Sequence, residues 1–328
     1  MNDIFDMVST DYESVIDRTG FNPDRLDIDA VDQHFAVLDR EDRVRARCSV
    51  WWRESAQVNG TRTGTIGHYA ATGEAFGAAV LEHACSVLRQ RACEIAVGPM
   101  DGNTWRRYRF ITERGTARPF FLEPDNPDDY PVHFRRCGFD SLAAYVSEIN
   151  HSIETRQPAL GALRDKMRQG GIEISPIDCT SPGDDLDGIY RVICESFSHA
   201  LMYTTLDRES FRQMYEPLIR EVDPRLMLVA RQGGEVVGFV FSPPDLAQRA
   251  YHDTVDTIVI KTVAVRPDSA YSGLGRVLIV DMLQNAIDMG FRSAISALMH
   301  VENRSQKISS DCAGPMRRYE LFARDLRQ

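Results

Sequence analysis

The chain has 328 residues, of which 43% are hydrophobic and 26% charged, and its formal net charge is −10. This length suits two domains and this composition an ordinary globular protein. The acidic balance excludes non-specific nucleic-acid binding, which needs a basic surface, and no run of about 18 apolar residues offers a membrane span.

Residues 1–6 are acidic and lack the basic and apolar regions of a signal peptide. The seven cysteines, at 48, 85, 93, 137, 179, 194 and 312, are odd in number and show no C-x-x-C spacing. A reduced, cytoplasmic protein without a metal site is the expectation.

In the first half, Thr65–Ala71 reads as a strand, and Trp51-Trp52 as part of another, with one ring buried and one at an interface. Phe76, Ala79, Val80, His83, Ala84, Val87 and Leu88 then mark one face of a helix. A short strand, Glu94–Val97, ends at Gly98-Pro99 and leads into a loop with Asn103, Trp105, Arg106, Arg107, Tyr108 and Arg109. Asn103, Trp105, Arg106 and Tyr108 are candidate substrate-binding residues, because rings and guanidinium groups suit an acceptor bearing a carboxylate or phosphate. Alternatively these arginines pair with Glu113, Glu123 or Asp125 and the rings pack an interface.

Leu160, Leu163 and Met167 suggest a linking helix within 157–171, stopped by Gly170-Gly171 before the strand Ile172–Ile174. Helices are expected at Asp185–Ser198 and Asp207–Glu221, and strands at Leu226–Arg231 and Val236–Phe241, joined by Gly233-Gly234. The β-branched run Thr257–Val265 reads as one buried strand. After the turn Ser272-Gly273-Leu274-Gly275-Arg276, a helix places Ile279, Met282, Leu283, Ala286 and Ile287 on one face. Glycines at a helix start leave N–H groups uncovered, and these with the helix dipole favour a phosphate. A lone Gly-x-Gly is as often only a tight turn. Leu278 breaks the dinucleotide fingerprint, and no Walker A lysine follows.

Val263-Ala264-Val265-Arg266-Pro267 followed by Tyr271-Ser272-Gly273-Leu274-Gly275-Arg276 resembles the acyl-CoA motif of the GNAT superfamily of N-acyltransferases. The similarity runs from Ile172 to about Leu326. It implies an α/β fold of two GNAT-like domains, each a central mixed sheet flanked by helices. Residues 1–156 are then a degenerate copy that supports the site and lends an acceptor pocket, and residues 172–328 carry the donor site. The copy rests on the strand–helix–strand order around Phe76–Leu88 and on Phe134–Phe139, which resembles the family's Gly-Phe ending. Glu74 at its helix start would repel a phosphate.

The resemblance implies that the amides of Val263, Ala264 and Val265 meet a pantetheine arm, and that Ser272, Gly273, Leu274, Gly275 and Arg276 hold a pyrophosphate. Asn303 corresponds to the family's strand-end asparagine. Ala270 stands where the family has Gln or Arg, and Ser310 stands where many members have a tyrosine that protonates the leaving thiolate. Ser310, water or Tyr319 then remain as acids. His300 leads Glu302, His199, Asp256 and His252 as a candidate base, each with a structural role as the alternative. The implied donor is an acyl-CoA, with acetyl-CoA first, and the implied acceptor is a small-molecule amine. Phosphopantetheine on an acyl carrier protein is the alternative donor, with Arg276, Arg292, Arg304, Lys307, Arg317 and Arg318 as a docking face. A non-catalytic ligand-binding protein is a further reading.

Overall fold

The computed structural model describes residues 3–7, 31–41, 43–153, 160–302 and 313–327. Asn303, Ser310, Arg304 and Lys307 therefore lie outside the described residues. In the first half, β1 (Asp3–Met7), β2 (Gln33–Leu38), β3 (Val44–Trp51) and β4 (Thr63–Ala71) form an antiparallel meander. Helix α1 (Glu74–Gln90) crosses to β5 (Ile95–Gly98), which pairs in parallel with β4. Its buried residues include Val80, Leu81, Ala84, Val87 and Leu88, four of which lie on the expected stripe. β6 (Phe110–Glu113), α2 (Tyr130–Arg136) and β7 (Asp140–Asn150) complete this half.

The linking helix forms as α3 (Gly161–Gln169), with Met167 buried. Next come β8 (Ile172–Pro176), α4 (Gly183–Phe197), α5 (Arg208–Glu221), β9 (Met227–Gln232) and β10 (Glu235–Phe241). The expected strand at 257–265 is broken at Lys261 into β11 (Thr257–Ile260) and β12 (Thr262–Val265). β11 runs parallel to β13 (Ser293–His300), while β12 turns away to pair with β10. The break lies where the Lys261 N–H bonds the Phe241 carbonyl at 3.0 Å. Propensity cannot mark it, because β-branched residues flank it on both sides. Helix α6 (Leu274–Asp288) connects β12 to β13, and β14 (Gly314–Asp325) ends the fold.

The sheet topology interleaves the halves. One sheet runs β1-β2-β3-β4-β5-β14-β7-β13-β11, with β6 also on β14, and a second runs β12-β10-β9-β8. The last strand of each half thus lies in the other: β14 beside β5, and β7 beside β13. Each half has its own main core, and the shared strands enclose smaller clusters around Tyr319 and Ile295.

Candidate active site

The V between β12 and β13 is the central feature. The pairing of β11 with β13 ends at Ile260–Ser296, and beyond it the two strands diverge. Val263 faces Val240 in the register, and the Arg266 N–H bonds the Val237 carbonyl at 2.9 Å. In antiparallel pairing the hydrogen-bonding residues alternate, so Thr262 and Ala264 bond to β10. The N–H groups of Val263 and Val265 therefore face the open side, and the Val265 carbonyl on that side accepts from Ser196 Oγ at 2.8 Å. Of the three expected amides, Ala264 is thus turned the other way.

Helix α6 starts beside this open edge. Gly273 is its N-cap at φ +93°, a conformation that glycine adopts without strain. Arg276 and Val277 donate to the Gly273 carbonyl, and among the described residues no backbone carbonyl takes the N–H of Leu274 or Gly275. A Cβ at Gly275 would rest 3.6 Å from Val265 and 3.8 Å from Val263, so the turn and the strand edge adjoin. Ser272 closes the preceding turn, while the Leu274 side chain is buried in the core. Arg276 alone of this turn lines the cleft below. The linking helix packs over the turn: Leu163 lies against Gly273, and Lys166 Nζ reaches the Ser272 carbonyl at 3.4 Å. Lys166 thus places a cation beside the turn whose Ala270 carries none. Residues at this distance in sequence leave no local signal of it.

The V opens into a cleft of about 1680 Å³ lined from both halves, by Thr104–Arg109 and Ser141–Tyr145 on one side and by Lys261–Val263, Arg276, Ile279, Leu283 and β13 on the other. Leu283, on the apolar face read from the sequence, is only half-buried and looks into this cleft. His300 lines it too, with its ring edge-on to Tyr145 at 5.1 Å. Its Nδ1 accepts the Glu302 N–H at 3.2 Å, so the neutral ring carries its proton on Nε2. Glu302 is exposed at the rim. None of the other candidate bases lines the cleft: Asp256 accepts from Gln248 and Thr257, His252 meets Tyr251 edge-on, and His199 is exposed elsewhere.

The loop expected to bind substrate divides its roles. Trp105 donates from Nε1 to the Thr204 carbonyl at 2.8 Å and packs against Tyr203, Phe211 and Tyr215. It joins the halves and forms cleft wall. Asn103 does not line the cleft; its Oδ1 accepts the Trp105 N–H at 3.0 Å and shapes the loop. Arg106 and Tyr108 do line it. The acids named as alternative partners are taken by other arginines: Arg318 for Glu113, Arg317 for Glu123 and Arg114 for Asp125. Trp51 and Trp52 are both buried, Trp51 against His68 and Trp52 under Arg91.

Tyr319 is not placed as an acid for a thiolate. It is fully buried between Glu123, to which it donates, and Ser147 Oγ at 3.0 Å, and it does not line the cleft. Burial followed by the neighbouring Glu123 pushes its phenol far above the usual range. Arg317, expected on a docking face, is buried as well, paired with Glu123 and bonded to the carbonyls of Arg114 and Ala117. These bonds pin β14 to the 114–123 loop of the first half. Lys261 and Glu123 were not foreseen as site residues, and Arg109 was read only as one of three loop arginines suited to an anionic acceptor. All three line the cleft where the strands separate. Burial, then the neighbouring Arg109, lowers Lys261 to about 8.

The first half has a corresponding but closed position. The Asp101 carboxylate accepts the His68 N–H at 2.6 Å, and Gly67 packs against Met100 and Asp101, so the strand edge there is already occupied. Glu74 at the start of α1 is paired with Arg136.

Residues 186–308 match the sequence model of the acetyltransferase (GNAT) family. No curated protein matches the chain in sequence. A GCN5-related N-acetyltransferase from Sphaerobacter thermophilus is similar in structure at 15% identity and a TM-score of 0.53, over 97% of this chain and 86% of that one. A probable N-acyltransferase from Enterococcus faecalis V583 superposes with a TM-score of 0.60 at 11% identity, over 99% and 73%. A tandem GNAT protein from the clavulanic acid biosynthesis pathway covers 100% of this chain and 99% of its own, at 11% identity and a TM-score of 0.56. At such identities these structures speak to the fold, and the matched segment speaks to the class, which is that of an acyltransferase. Residues 186–308 thus carry a GNAT-family segment, and the chain as a whole has a fold similar to that of tandem GNAT structures.

Proposed function

We propose that the protein transfers an acyl group from acyl-CoA, acetyl-CoA in the first instance, to the amine of a small molecule, and that it does so in the cytoplasm. The observation that carries this reading is the outward pair of amides on β12 beside the uncovered N–H groups of Leu274 and Gly275. Together they fit a pantetheine arm and a pyrophosphate. Lys166 adds a positive charge at the same turn. When bound, the thioester supplies an electrophilic carbonyl. The chain's residues hold it at the V, and the cleft brings a neutral amine to it, so that orientation does much of the work. The amine nitrogen forms the new bond to the carbonyl carbon, the carbon–sulfur bond breaks, and the amine's proton leaves to the thiolate or to water at the rim near His300 and Glu302.

Free CoA is put before a carrier protein on the strength of the helix-start turn; of the expected docking face, Arg317 is buried, Arg318 pairs with Glu113, and Arg304 and Lys307 lie outside the described residues. The six cysteines among the described residues are free thiols, in keeping with a reducing compartment. No helix among the described residues is long and apolar enough to cross a membrane.

Calorimetric titration with acetyl-CoA tests the reading. The wild type and Gly275→Ala bind, because a Cβ there makes only ordinary contacts. Gly275→Glu, which places a carboxylate at the helix start, does not bind. Equal affinity in a folded Gly275→Glu protein refutes the donor site.

A further inference from the structure

Arg109 is 6% exposed and has a left-handed backbone at φ +73°. Such strain in a non-glycine residue persists only where the surroundings enforce it. Its guanidinium sits in the corner formed by the edge-to-face rings of Tyr108 and Tyr145, at 3.8 and 3.9 Å from their centroids. Nη1 donates to the Leu298 carbonyl at 3.1 Å, and Nε has no hydrogen-bond partner among the described residues. Lys261 approaches the same place from the other arm of the V, with Nζ on the Leu122 carbonyl at 3.1 Å. Neither cation has a carboxylate within ion-pair distance among the described residues, and the nearby Glu123 is committed to Arg317 and Tyr319.

Buried charges are rarely left without a counter-charge. Here two of like sign line one cleft and repel each other. The two rings, perpendicular to each other with centroids 5.9 Å apart, enclose adjacent sides of the Arg109 guanidinium, and its buried Nε–H is the kind of donor that a carboxylate satisfies. We infer that Arg109 and Lys261 form a binding site for a carboxylate carried by one of the two substrates. Either the acyl chain ends in a carboxylate, or the acceptor is an aminocarboxylate. Which substrates share the cleft rests on the acyltransferase reading, whereas the cation pair itself does not.

Calorimetry on the full chain separates the sources. Succinyl-CoA and butyryl-CoA differ by a carboxylate in place of a terminal methyl. Glycine, 4-aminobutyrate and glutamate, each with its amide, are titrated with and without CoA. The wild type favours the carboxylate member about tenfold or more in the first pair if the acyl chain carries it, or in one of the others if the acceptor does. In Arg109→Met and Lys261→Met that preference falls to about twofold or less, while acetyl-CoA still binds. Lys261→Met carries the test should Arg109→Met not fold. No preference in any pair, with acetyl-CoA bound normally, overturns the carboxylate site and leaves the acyltransferase reading standing. If no CoA thioester binds, that reading fails instead, and the aminocarboxylate titrations without CoA decide the site.

Discussion

Lys261→Met should make the folded protein more stable. Lys261 has burial and the Arg109 guanidinium against its charge, and only the Leu122 carbonyl and the weaker pull of the Glu123 carboxylate in its favour. Its ammonium is thereby lowered from 10.5 to about 8. At about 1.4 kcal/mol per pH unit, that shift is worth at most about 3 kcal/mol. The side chain is only half-buried, so solvent screening reduces the value, and about 1–2 kcal/mol is expected. Methionine keeps much of the apolar stem and removes the charge, and the Leu122 carbonyl, on an exposed residue, can turn to water.

The pH dependence gives this reasoning a second check. The folded-state value lies below the unfolded one, so between about 8 and 10.5 the unfolded chain holds more protons than the folded chain. The wild type therefore gains stability from this group as pH rises through that window, and the penalty is fully present below it. Lys261→Met lacks this component. Urea unfolding of both proteins at pH 7 and pH 9.5 should show the variant ahead by about 1–2 kcal/mol at the lower pH, with a smaller gap at the higher and unchanged m-values. A variant that is less stable at pH 7, or a gap that ignores pH, refutes the account of an uncompensated cation. A residue that costs stability when unliganded and is kept at the centre of a cleft fits a role in binding.

Glu123→Ala should destabilise by about 3–5 kcal/mol in urea, because Arg317 is left buried without its partner; a loss below about 1 kcal/mol would mean that the carbonyls of Arg114 and Ala117 suffice. Lys166→Ala should weaken acetyl-CoA binding while leaving the melting temperature nearly unchanged, since this exposed side chain makes only one long contact to the Ser272 carbonyl. Calorimetry reads the first effect and thermal unfolding the second, and unchanged affinity removes Lys166 from the donor site. Residues 172–328 expressed alone should fail to give a cooperative unfolding transition, because β13 loses β7 and β14 loses β5, β6 and β7. A soluble, cooperatively unfolding fragment would show that the exchanged strands are dispensable.

Much of the fold was legible because periodicity reports burial. The stripe on α1, the hairpin at Gly233-Gly234 and the glycine turn before α6 all formed near their expected bounds. The glycine turn had a backbone reason as well as a chemical one, since Gly273 sits at positive φ against Leu163. What escaped was long-range. Nothing local in Thr257–Val265 says that its two ends join different sheets, and the break falls on a lysine that composition assigns to the surface. Tyr319 was visible as a tyrosine near the end of the chain, yet its role depended on β14 crossing into the other half, where Ser147 and Glu123 take its hydroxyl. Lys166 reads as an exposed residue of a linking helix until that helix is laid across the turn.

The strand exchange also ties the first half to the cleft. The wall of the cleft opposite β12 is made of Tyr108, Arg109 and Tyr145. Tyr145 lies on β7, a first-half strand held between β13 and β14 of the second. Where β13 meets β7, its register slips between Ser296 and Met299, and the Leu298 carbonyl there receives Arg109. Leu298 has positive φ, as Arg109 does, so each side of this contact holds a residue in a strained conformation. The second half supplies the V and the helix start; the first supplies the surface that faces them. A chain built this way cannot discard its first half, because β7 and the cleft wall it carries would go with it.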